Sequence, residues 1–186
     1  MKISQVARRY AHALLDLALE RKELDFVYND IQAVRKASAE SREFRLMLKT
    51  PIVKADKKER IITSIFGSSV RELTLKFLRQ LVRKRREAFI PEIAEAFIEQ
   101  YNEFKNILIV TLKTPVPATD DVRVKVMEIM KKYTQANIQL VEETDPALIG
   151  GFTLSWQDKK YDASIDHVVE RLRRDVAKVN LYVKEF

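Results

Sequence analysis

Through residue 105 the apolar side chains return every three or four positions. At "NILIVTLKTPVP" they become a short unbroken run, stopped by Pro115 and Pro117. That single change of period limits the chain to two kinds of packing, helix on helix first and a sheet afterwards. In the first part, Ser4 to Glu20 repeats apolar residues from Val6 to Ala18. Glu23 to Ser38 repeats Leu24, Val27, Ile31 and Val34. Arg42 to Leu48 ends before Thr50-Pro51, where proline disfavours helix in the residue before it. Lys54 to Phe66 ends at Gly67 in a C-cap position, and Ser68 is expected to cap a helix reaching Arg83. A sixth helix enters at Pro91, tolerated in a first turn, and runs to Lys105.

After Ile107 to Leu112, a β-rich run, Thr119 opens a helix with Asp120 and Asp121 at its positive end. Asn137 to Glu142 reads as a strand. Phe152 to Trp156 and Lys159 to Tyr161 read as a hairpin about Gln157-Asp158. A last helix, capped by Asp162 or Ser164, carries Val168, Leu172 and Val176. The expected fold is mainly α: a six-helix bundle over residues 1–106, then a small α+β domain over residues 107–186.

Charge follows the same division. The chain carries a formal +7, all of it in residues 1–106, while residues 107–186 balance. Cysteine is absent, which excludes disulfides, thiolate nucleophiles and cysteine metal sites. No apolar run approaches the roughly 20 residues that span a bilayer. "MKISQVARRYAHALL" carries Arg8, Arg9 and His12 within its apolar pattern and has no small-residue cleavage site, so no secretion signal is expected.

Two helices are apolar over too wide an arc. At about 100° per residue, Ala13, Val6, Leu17, Tyr10, Ile3, Leu14, Ala7, Ala18, Ala11 and Leu15 follow one another over roughly 200° of the first helix. In the fifth, Leu73, Phe77, Val70, Leu81, Thr74, Leu78, Val82 and Leu75 do the same, interrupted by Arg71. A surface helix needs a stripe of only about 100°. Either both helices are buried all round, or each buries half its arc and offers the rest to a partner helix. On the second reading, Ala7, Ala11 and Ala18 leave room for a foreign helix to approach.

Sites of chemistry are scarce. Gly150 and Gly151, two of only three glycines, match no nucleotide-binding fingerprint. They precede a strand rather than a helix N-terminus, so a close backbone approach is expected there. Asp158 and Asp162 are accounted for by a turn and a cap rather than by an acid–base pair. His12 lies on the polar arc of the first helix, and His167 beside Asp166 and Glu170 is a poor metal set. Neither a metal nor a cofactor is implied. Trp156, the only tryptophan, reads as packing. The basic run Arg83, Lys84, Arg85 and Arg86 could contact phosphates. No aromatic platform accompanies it, so a solvated junction or an acidic protein partner is the simpler reading.

The stretch "LIGGFTLSWQDKKYDASIDHVVERL" resembles the C-terminal signature of the delta subunit of F-type ATP synthases, the counterpart of the mitochondrial oligomycin-sensitivity-conferring protein. Its elements are Ile149, Gly150, Gly151, Phe152, a turn, then Asp162-x-Ser164 opening a helix. "ARRYAHALLDLA", Ala7 to Ala18, resembles that family's opening helix, and the resemblance covers essentially the whole chain. Ser155-Trp156 stands where a basic residue is expected in or near the strand.

The resemblance implies a non-catalytic stator of a proton-translocating complex, held at the cytoplasmic face of the cell membrane through that complex. It implies that the helical domain caps the catalytic head and grips the N-terminal helix of an α subunit between helices one and five. It further implies that the C-terminal domain meets the C-terminal helices of the b-subunit stalk. Tyr10, Ala11, Leu14, Ala18, Val70, Leu73, Phe77 and Leu81 are then expected to line or support the groove. Replacing Ala11 or Phe77 by Glu is expected to weaken helix binding and leave the fold intact. The competing class is a basic helical nucleic-acid-binding protein centred on Arg83 to Arg86.

Overall fold

A computed structural model describes residues 3–180, with side chains through residue 176. The chain divides into two compact units, Met1–Lys105 and Asn106–Phe186.

Six helices build the first unit: α1 (Gln5–Glu20), α2 (Leu24–Glu40), α3 (Arg42–Lys49), α4 (Ala55–Phe66), α5 (Glu72–Arg83) and α6 (Ile90–Phe104), with a 3-10 turn at Glu87–Phe89. Ser4 caps α1 by accepting from the Ala7 amide, and Ser41 caps α3 by accepting from Phe44. Pro91 sits in the first turn of α6. The expected cap of α5 by Ser68 is corrected. That helix begins at Glu72, and none of its own side chains caps it. Asp30 of α2 does so instead, its carboxylate accepting from the Arg71 amide at 2.8 Å and from the Thr74 hydroxyl at 2.7 Å. An anion from a neighbouring helix thus answers the positive end of α5.

Helix α6 is the spine of this unit, since α1 and α2 both pack along it. Helix α2 touches α1 on one side and α5 on the other, and α5 packs on α4. The Tyr28 and Tyr101 rings stack at 3.9 Å. The Tyr101 hydroxyl donates to Asp25 at 2.8 Å, and burial with this bond pushes its pKa up to about 12. A buried ion pair ties α3 and α4 to the 3-10 turn. Lys58 of α4, only 2% exposed, donates to Glu87 at 2.7 Å and to the Leu48 carbonyl at 3.0 Å.

The second unit contains β1 (Ile107–Thr114), α7 (Asp120–Tyr133), β2 (Asn137–Thr144), β3 (Thr153–Trp156), β4 (Lys159–Asp162) and α8 (Ile165–Asn180). The sheet order is β2-β1-β3-β4. Strand β1 is central: parallel to β2, with Ile107 opposite Asn137, and antiparallel to β3, with Leu112 opposite Leu154. The α7 crossover makes the parallel pairing possible. Val110, Leu112, Leu154 and Trp156 of the sheet close on Val126 and Met130 of α7 in one core. Arg123 of α7 forks onto Glu142 of β2 at 2.7 and 3.1 Å.

Candidate docking surfaces

Helix α1 divides its apolar arc in two. Ala7, Ala11, Leu14, Leu15 and Ala18, contiguous in angular order, are buried. The other half is not: Leu17 and Ala13 are exposed, and Ile3, Val6 and Tyr10 are half-buried. The buried half is the one facing α6 and α2. The expectation that the alanines admit a foreign helix is therefore corrected. Ala7, Ala11 and Ala18 are 0% exposed, and the close approach they allow is taken by helices of this chain.

Helix α5 shows which of its sides remains free. Arg79 and Arg83 reach back to α4, Arg83 to Glu59 at 3.0 Å and Arg79 to Thr63 at 3.2 Å. Thr74 bonds to α2. Leu73 and Phe77 lie on the side turned away from Arg79 and Arg83, at about 100° per residue. Leu78, Leu81 and Val82 enter the core, Leu73 is nearly buried, and Phe77 keeps part of its ring exposed. Val70 is half-buried in the turn before α5 rather than on the helix.

These two free sides flank α2, and their relative direction follows from hydrogen bonds. Helices α1 and α2 form an antiparallel pair through the short turn at Arg21–Glu23, where Lys22 is left-handed at φ 56°. The start of α5 lies beside Asp30 of α2, while its other end leads through Glu87–Phe89 into the start of α6, where Glu92 accepts from the Ser4 amide at the start of α1. Hence α1 and α5 run antiparallel, with the end of α1 beside the start of α5. The lowered pKa of Glu72, due first to Lys76, also has a contribution from Arg21 at the end of α1. These sides are the candidate walls of a docking groove: Val6, Tyr10, Ala13 and Leu17 on α1, and Val70, Leu73 and Phe77 on α5. Phe26 of α2 lies half exposed near one end beneath the Arg71 guanidinium, 3.6 Å from its ring centre. Of the eight residues singled out in the sequence, Tyr10, Val70, Leu73 and Phe77 reach these walls. Ala11, Leu14, Ala18 and Leu81 lie beneath them in the core. Ala13 and Leu17 were in the arc, but the arc alone did not say which half faces inward.

Among the described residues of the second unit, one side of α8 forms an exposed apolar face. Ile165, Val168, Val169, Leu172 and Val176 line one side of α8 and are 39–58% exposed. The start of α8 is held by a joint made of the glycine pair and the Asp-x-Ser step. The Ile165 amide donates to the Gly150 carbonyl, and the Ala163 amide to that of Phe152, each at 3.0 Å. Gly151 is left-handed at φ 80°, and a Cβ there would strike the Ala163 backbone. One oxygen of Asp162 accepts from the Ser164 amide at 3.0 Å and from its hydroxyl at 2.6 Å, while Ser164 Oγ caps α8 through the His167 amide. Asp162 is drawn down to about 2, chiefly by Ser164 and further by Lys160. Neither carboxylate nor imidazole is arranged here for acid–base work: Asp158 and His167 are exposed, and Asp162 is engaged in the joint. Among the described residues, no group of three or more His, Asp or Glu side chains is placed to hold a metal ion. No helix among them is long and apolar enough to cross a membrane.

Residues 6–176 match the model of the ATP synthase delta (OSCP) subunit family. The chain belongs to that family. It is 36% identical over 165 residues to the ATP synthase subunit delta of Cytophaga hutchinsonii, covering 89% of this chain and 90% of that protein. It is 31% identical to the subunit of the same name from Carboxydothermus hydrogenoformans, over 95% and 99%. A chain in the cryo-EM structure of the Toxoplasma gondii mitochondrial ATP synthase hexamer shares the fold. Its TM-score is 0.69 at 23% identity, over 94% of this chain and 98% of that one. The nucleic-acid-binding alternative gains no support from these matches. In this delta-family chain, Gly150, Gly151, Phe152, Asp162 and Ser164 are the parts of one joint that starts the last helix.

Proposed function

We propose that this delta-family chain is a non-catalytic stator subunit of a proton-translocating F-type ATP synthase. The helical unit seats the amphipathic N-terminal helix of an α subunit in the groove between α1 and α5. The second unit engages the C-terminal helices of the b-subunit stalk through the apolar face of α8. The chain reaches the cytoplasmic face of the cell membrane only through the assembled complex. The observation that carries this reading is the divided arc of α1, whose second apolar half is left exposed or only half-buried among the described residues.

A docked helix would cover Leu17, Tyr10 and Phe77, each already partly buried and so contributing at most about 1–1.5 kcal/mol gross. Ordering and association costs offset much of that. Attachment at both head and stalk raises the effective concentration of each contact, so moderate single affinities suffice to resist torque.

The test is calorimetry of the full chain with a peptide of the α-subunit N-terminal segment. Leu17→Glu puts a charge on the exposed wall, where the fold tolerates it. It is expected to abolish measurable binding with thermal stability unchanged. Affinity equal to wild type would refute the groove.

A further inference from the structure

The two ends of the groove differ in charge. Where α1 ends and α5 begins, both signs interleave: Glu20, Arg21, Lys22, Glu23, Arg71 and Glu72, with Arg71 3.5 Å from Glu23. At the other end α5 runs into Lys84, Arg85 and Arg86. All three are exposed, and none is ion-paired among the described residues. Arg83 is excluded from this group because it is turned to Glu59 of α4. Lys84 stands seven residues beyond Phe77, two turns along the same side of the helix. Arg85 is held left-handed at φ 56°, a conformation uncommon for a residue with a Cβ. Two backbone hydrogen bonds hold the turn, from the Arg85 amide to the Val82 carbonyl at 2.9 Å and from Arg86 to Leu81 at 2.8 Å. The negative end of α5 amounts to only about half a charge, far less than the three cations gathered there.

We infer that this basic turn sets the direction in which a helix lies in the groove. It takes acidic side chains in the last turns of the docked helix and draws that helix's negative C-terminal end toward itself. The partner is thus an amphipathic helix with an acidic C-terminal end, lying parallel to α5 and antiparallel to α1. The apolar walls supply affinity, and the basic turn supplies orientation and association rate. The inference rests on the docking reading above.

The experiment uses the full chain and a peptide of the α-subunit N-terminal segment from the same organism, nitroxide-labelled at one end or the other. Amide signals are followed by NMR. The C-terminal label is expected to broaden Gln80 and Lys84, and the N-terminal label to broaden Glu20 and Arg71. The triple variant Lys84→Gln, Arg85→Asn, Arg86→Gln changes only exposed side chains, and Asn tolerates the left-handed backbone. It is expected to lose about tenfold in affinity at low salt and to converge on wild type as salt screens the charges. Reversed broadening, or wild-type affinity of the triple variant at low salt while Leu17→Glu abolishes binding, overturns the orientation and leaves the groove standing. If Leu17→Glu binds normally, the docking reading fails, and the orientation with it.

Discussion

Replacing Asp162 by Asn tests the joint that starts α8. In the folded chain the carboxyl is drawn from an ordinary 3.8 to about 2. At about 1.36 kcal/mol per pKa unit, that difference corresponds to at most about 2.4 kcal/mol favouring the charged folded form. The side chain keeps 26% exposure and its ion pair with Lys160 is solvent-screened, so about 1–2 kcal/mol is expected. Because the folded pKa is depressed, this stability is fully present above about pH 4 and is lost as pH falls toward 2. Trp156 is the only tryptophan and lies in the core of the second unit, 7% exposed. Its fluorescence therefore reports unfolding of that unit and not of the helical one. Urea titrations of wild type and Asp162→Asn, read by Trp156 between pH 2.5 and 7, should differ by about 1–2 kcal/mol at neutral pH and by about a third of that at pH 2.5. A difference below about 0.3 kcal/mol at pH 7, or one unchanged at pH 2.5, would refute the role given to the charge.

The glycine pair should be unequal. Gly151→Ala meets backbone at a left-handed position and is expected to cost at least about 2 kcal/mol by the same fluorescence assay. Gly150→Ala meets only the flexible tip of Ile165 and should cost less than about 1 kcal/mol. Lys58→Met leaves Glu87 buried without its cation, at about 3–5 kcal/mol, while the double variant Lys58→Met, Glu87→Leu should recover most of the loss in circular-dichroism melts. Ala11→Glu buries a charge between helices and is expected to unfold the helical unit rather than spare it. Leu17→Glu, on the other half of the same arc, should melt like wild type.

Much of the architecture was legible because periodicity is local. The starts of α1, α3 and α7 and the hairpin at Gln157 lie close to where spacing and caps put them. What was not legible depends on distant partners. The start of α5 is set by Asp30, far away in the sequence, so the nearby Ser68 misled. The orientation of the wide arc on α1 depends on α6, whose close packing fills the space beside Ala7, Ala11 and Ala18. A stripe of alanines looks alike whether it admits a foreign helix or one from the same chain. The Lys58–Glu87 pair gave no signal, because a lysine in a charged helix reads as solvent-exposed until the fold buries it. Gly150, Gly151, Asp162 and Ser164 were recognisable by their spacing, yet only the backbone hydrogen bonds show why that spacing is needed.

The entry of the chain into its sheet has a mechanical consequence. Helix α6 passes into β1 through Lys105 and Asn106 alone, the latter left-handed at φ 52°. Strand β1 is hydrogen-bonded on both sides, along all of β2 and part of β3. A pull applied to β1 along its own axis therefore loads both ladders in shear. Their hydrogen bonds share the load, whereas an edge strand peeled from its end would lose them one at a time. A pull of given size then meets a higher unfolding barrier, and forced unfolding is governed by that rate rather than by equilibrium stability.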